Sequence, residues 1–146
     1  MTRINADINP IFLTDQHLLA EYNELGLFYS SLRRSIKSKN GISNIPEKFT
    51  LNKGHVKFFY NKLTFVNNRY ELLKRELNDR NFKLDSDRKI TIDNEFPDNL
   101  YNNWQSNDAD IKVIKERIRS KIILKPNWYR YNKSSLPQWL IKYYSL

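Results

Sequence analysis

Two groups in the chain have chemistry that needs neither a metal nor a thiol: the α-amine of Thr2 and the carboxylate of Glu24. Thr2 follows Met1 and is small enough for the initiator methionine to be removed, which would free its amine. With a reference pKa near 8, roughly a tenth of such an amine is unprotonated at pH 7, against under about a thousandth for a lysine. The neighbouring Arg3 lowers it further, so the group suits Schiff-base attack on a sugar aldehyde. A Met-Thr start is also common, and its bland reading is a frayed terminus.

Glu24 lies one position off an apolar stripe, and His17, Glu21 and Glu24 follow i, i+4, i+7 spacing on one helix face. That trio is either a solvated flank or a polar site facing a cleft, with Glu24 handling charge or protons during sugar chemistry. The rest of the inventory is restrictive. Zero cysteines exclude disulfides, thiol nucleophiles and thiolate metal sites, and two histidines, His17 and His55, leave little for a metal site. No metal or cofactor is expected.

The elements that must position these groups are helical. Leu18, Tyr22, Leu25, Tyr29, Leu32 and Ile36 form one stripe, capped by Thr14 or Asp15 and stopped near Gly41. Val56, Phe59, Leu63, Val66, Tyr70, Leu73 and Leu77 form a second, ending near Asn78–Asn81. Ile111, Ile114, Ile118 and Ile122 form a third, capped by Ser106 or Asp108 and closed by Pro126. The acidic stretch Leu84–Gln105 reads as loop, with Lys89–Ile92 extended. The expected fold is all-α: a single domain, residues 1–146, of three main helices with long connections and an aromatic C-terminal tail.

Net charge is +9, laid out in alternating blocks. Residues 1–30 carry −3, residues 31–75 carry +9, residues 76–110 carry −5 and residues 111–146 carry +8. Two basic blocks, one containing Trp128, Tyr129, Arg130 and Tyr131, favour nucleic acid over a solvated lysine-rich surface. No apolar run approaches the roughly 20 residues of a membrane span, and the first residues show no basic-then-apolar signal pattern, so a cytoplasmic protein without membrane contact is expected. Nothing marks a second interface, and a monomer is expected.

Taken together the residues resemble phage-type endonuclease V, the pyrimidine-dimer DNA glycosylase with AP-lyase activity. The resemblance rests on Thr2-Arg3-Ile4-Asn5, Asp15-Gln16-His17-Leu18, Ala20-Glu21-Tyr22 and Glu24-Leu25. It continues in Gly54-His55-Val56, Phe58-Phe59-Tyr60, Lys62-Leu63 and Phe65. It closes with Arg117, Lys121-Ile122, Lys125-Pro126 and Trp128-Tyr129-Arg130-Tyr131 and so spans nearly the whole chain, with the acidic stretch unmatched.

The resemblance implies that the Thr2 amine attacks the sugar carbon of the damaged nucleotide, displaces the base and forms an imine, without metal or organic cofactor. Glu24 then stabilises the cationic intermediate and assists β-elimination. The partner is lesion-containing double-stranded DNA in a phage-infected or microbial cell, bent and with a nucleotide flipped out. Arg3, Gln16, His17 and Asn23 would lie on DNA near Thr2, and Arg117, Lys121 and Lys125 would hold its backbone. Trp128, Tyr129, Arg130 and Tyr131 would help bind the damaged duplex, the alternative for the aromatics being core packing. His55 and Phe58-Phe59-Tyr60 read as structural. Asn23 and Leu27 stand where the family typically carries arginines, with Arg33, Arg34 or the tail as candidates to compensate. The same chemistry on abasic sites or another lesion, and a non-catalytic DNA-binding protein, are the competing readings.

Overall fold

The computed structural model describes residues 3–84 and 95–146. Its described part is all-α, with helices α1 (Asp15–Lys37), α2 (His55–Phe58), α3 (Leu63–Asp79), α4 (Asp108–Leu124) and α5 (Gln138–Tyr143). The expected extension over Lys89–Ile92 lies outside the described residues.

α1 starts where Thr14 accepts the N–H of His17, a side-chain cap that satisfies an otherwise orphaned donor. Its stripe goes inward: Leu18, Leu25 and Leu32 are fully buried and Tyr22 and Tyr29 nearly so, whereas Ile36 emerges into solvent. α3 answers with Leu63, Val66, Tyr70, Leu73 and Leu77. The two helices meet at Tyr22 and Tyr70, stacked at 5.0 Å with their hydroxyls 3.0 Å apart. Each large side chain so buried stabilises the fold by about 2 kcal/mol.

The second predicted helix is broken. Phe58, Phe59 and Tyr60 are all buried, and three consecutive residues cannot share one face of an α-helix. The chain solves this with a short α2, a 3-10 turn at Phe59–Asn61 and a kink at Lys62, whose φ of −130° is non-helical. The Lys62 ammonium donates to the carbonyl of Phe58 at 2.9 Å and lies over that ring. The aromatics then close on Trp104, which comes from the stretch expected to be loop. Phe96 and Leu100 of the same stretch are also buried.

α4 is capped by Asn107, which forms a reciprocal capping box with Asp110, rather than by Ser106 or Asp108. Ile114, Ile118 and Ile122 face inward and Pro126 follows the last turn. The tail is more than an aromatic extension. Pro137 starts α5, which buries Leu140 and brings Tyr144 to donate to the carbonyl of Phe12 at 2.6 Å. No described helix is long and apolar enough to cross a membrane.

Candidate active site

Thr2 lies outside the described residues, but the segment that follows it is held at three successive positions. Arg3 Nε donates to the carbonyl of Leu51 at 3.0 Å. The N–H of Ile4 donates to His55 Nε2 at 2.9 Å. Asn5 Nδ2 donates to Glu21 Oε1 at 2.8 Å. Gly54 lets the chain turn into α2 beside this segment: its φ is +94°, and a Cβ there would meet Pro46 at 3.1 Å.

The trio His17, Glu21 and Glu24 is divided by the fold. Glu21 is neither solvated nor in a cleft. It is fully buried in a two-pronged ion pair with Arg69, at 2.7 and 3.0 Å, and Arg69 also donates to the carbonyl of Ile8. Glu24, one turn on, is half-buried on the wall of an open cleft of about 730 Å³. Arg3, Leu27, Arg34, Lys57 and Tyr60 line the same cleft. Burial pushes the Glu24 carboxyl above the ordinary glutamate value while the nearby Arg3 cation pulls it back. Such a group can hold a proton or support a developing cation.

Arg3 also lines a smaller cleft of about 240 Å³ together with Gln16, His17, Arg117, Lys121, Trp128 and Tyr129. Seven of the residues singled out in the sequence therefore converge. Arg117 and Lys121 face this cleft one helical turn apart. The Arg117 pKa is lowered, first by burial and then by the Arg3 guanidinium. His17 stacks on Tyr129 with ring centroids 4.8 Å apart, and its Nδ1 hydrogen-bonds the Thr14 hydroxyl at 2.7 Å. Burial, Arg117 and Lys121 lower the His17 pKa to about 4, so its imidazole is neutral at pH 7.

The remaining tail residues divide between holding and facing. Gln16 clasps the tail, donating to the carbonyl of Trp128 and accepting from the N–H of Arg130. Asp15 accepts from the N–H groups of Asn132 and Lys133 and from Arg80. Tyr131 packs inward, its hydroxyl donating to the carbonyl of Ile11 and its ring lying 4.0 Å from the Arg80 guanidinium. Trp128, Arg130 and Lys125 are exposed. Asn23 is also exposed, but lines neither cleft.

Of the two arginines considered as compensation, Arg33 is engaged in a two-pronged salt bridge with Glu95. Arg34 is the one on the cleft wall. Sequence reasoning passed over Lys53, Lys57 and Tyr60 as cleft residues, although the +9 of residues 31–75 was the signal that a cationic wall stood there. Among the described residues, no group of three or more His, Cys, Asp or Glu could hold a metal ion.

These clefts belong mostly to α1, the segment before it and α2. A family model for pyrimidine dimer DNA glycosylase matches residues 1–90 of the 146, and the chain belongs to that family.

Proposed function

We propose that the chain excises pyrimidine dimers by imine chemistry and then cuts the strand as an AP lyase. Removal of Met1 exposes the Thr2 amine, which attacks C1′ of the damaged nucleotide. The glycosidic bond breaks and the base departs with its electron pair. The sugar ring opens, C1′–O4′ cleaves and an imine forms between the amine and C1′. Loss of a C2′ proton then expels the 3′ phosphate, and hydrolysis of the imine returns the amine. Glu24 stabilises the cationic intermediate and assists the elimination. Arg3, Arg117 and Lys121 hold phosphates, and exposed Trp128 and Arg130 meet the duplex.

One observation carries this reading: Arg3, bonded directly to Thr2, lines the same cleft as Glu24. That the residue next to Thr2 in the chain stands on the wall that holds Glu24 supports a shared role for the amine and the carboxylate. Burial that raises the Glu24 carboxyl above the ordinary glutamate value suits a proton-handling role.

Borohydride trapping on duplexes carrying a dimer or an abasic site tests it, with intact mass to show whether Met1 is removed. The expected result is a covalent adduct on both duplexes from protein beginning at Thr2. An adduct on abasic DNA alone moves the substrate to abasic sites, and none on either leaves a DNA-binding protein. Glu24→Gln is expected to abolish most strand cleavage with DNA binding largely intact; cleavage near wild type removes Glu24 from the mechanism.

A further inference from the structure

α1 carries a second stripe beside its core stripe. His17, Ala20, Glu24, Leu27, Ser31 and Arg34 recur in alternating steps of three and four, the period of one helix face. The first two line the small cleft, the next four the Glu24 cleft. Ser31 and Arg34 continue into a third cleft of about 520 Å³, where Ser38 extends the same face. The small and central clefts share Arg3, and the central and third share Arg34 and Lys57. The result is one groove along α1 with Glu24 inside it.

Cations stand at both ends. Arg117 and Lys121 serve the His17 end. Arg34 and the pair Lys53 and Lys57, which bracket Gly54 at the start of α2, serve the other. Among the described residues no carboxylate forms a salt bridge with any of these three, whereas adjacent Arg33 is occupied by Glu95. A solvated lysine face would lie on convex surface. These side chains line the cleft that also holds Glu24, and concave surfaces in which cations outnumber carboxylates focus attraction for a polyanion.

We propose that Arg34, Lys53 and Lys57 form a second DNA-binding wall, holding phosphates on the side of Glu24 opposite Arg117 and Lys121. The proposal rests on the family's DNA substrate and is independent of the imine. On this reading the duplex is held on both sides of the reacting nucleotide, and the second wall takes up phosphate contacts that Asn23 and Leu27 cannot make.

Equilibrium binding to a duplex with a reduced abasic site, followed by fluorescence anisotropy from low to moderate salt, tests it. Arg34→Gln and Lys57→Gln should each lower the slope of log affinity against log salt by about 0.9, and the double variant by about twice that. Lys112→Gln, which lies outside the groove, should leave the slope unchanged. A wild-type protein that binds with the slope unaltered in all three variants overturns the second wall alone. A slope lowered equally by Lys112→Gln also overturns it, because net charge then explains the effect. A wild-type protein with no duplex affinity overturns the DNA reading itself.

Discussion

His55 Nε2 accepts the backbone N–H of Ile4 at 2.9 Å, while Nδ1 hydrogen-bonds the carbonyl of Thr50 at 2.8 Å. A carbonyl can only accept, so Nδ1 carries the proton and Nε2 is bare. The ring is 2% exposed, and each of its nitrogens is committed. His55 thus ties the segment following Thr2 to the start of α2.

His55→Ala should therefore lower stability by about 2–4 kcal/mol, from a lost buried hydrogen bond plus a cavity. Urea midpoints measure this. His55→Gln can still accept from Ile4 and should recover part of the loss. A Gln variant no better than Ala would show that packing, not the Ile4 bond, is what His55 supplies.

Burial of the same ring makes the protein acid-sensitive above the carboxylate range. Burial, and then the Arg3 and Arg117 cations, lower the His55 pKa to about 4, with the Thr50 bond opposing. The unfolded chain takes up a proton near pH 6.5 while the folded chain resists until about 4, so stability falls as pH drops through that window. At pH 5 His55 alone accounts for about 2 kcal/mol relative to pH 7.5, and His17 adds in the same direction. Urea midpoints at the two pH values check it, and His55→Gln should flatten the dependence.

Glu21 and Glu24 share a helix and a chemistry, but their amides should behave oppositely. Glu21→Gln removes the charge facing the buried Arg69 guanidinium and should cost about 3–5 kcal/mol. Glu24→Gln, on a half-buried cleft wall, should leave the thermal midpoint within a few degrees of wild type. Thermal melts of the two variants side by side settle the contrast.

Leu27 is 66% exposed on the rim of the Glu24 cleft. Leu27→Arg should be neutral for stability, tighten duplex binding and raise the salt slope by about one phosphate unit. Unchanged binding across the salt series would mean that no phosphate passes this rim.

The legible parts of the fold were those where one periodic signal had one cause. The α1 stripe and the α4 isoleucines are apolar because they face the core, and both helices follow. The second stripe continued in period through Phe59 and Leu63, which hid the kink at Lys62; only the burial of three successive aromatics demanded it. α5 was hidden because six residues, Gln138–Tyr143, are too few for periodicity to register, and its stability comes from packing on Phe12. At the site, Arg3, His17, Arg117 and Lys121 were legible through the family resemblance, and they converge on one cleft. Glu21 was misplaced because a charged residue on a polar-looking face announces nothing about a buried partner 48 positions away. Lys53 and Lys57 were visible only as anonymous charge.

The groove along α1 runs from His17 to Ser38, about 31 Å at 1.5 Å per residue. Glu24 divides it unequally, roughly 10 Å to one side and 21 Å to the other, or about 3 and 6 base pairs of B-form rise if the duplex follows the helix. On the proposal of a second wall, the contacts to either side of the reacting nucleotide would be unequal. A lesion a few base pairs from a duplex end or a nick would be processed when the short arm faces the break and neglected when the long arm does. Damage clustered near strand ends would be repaired in one orientation and persist in the other.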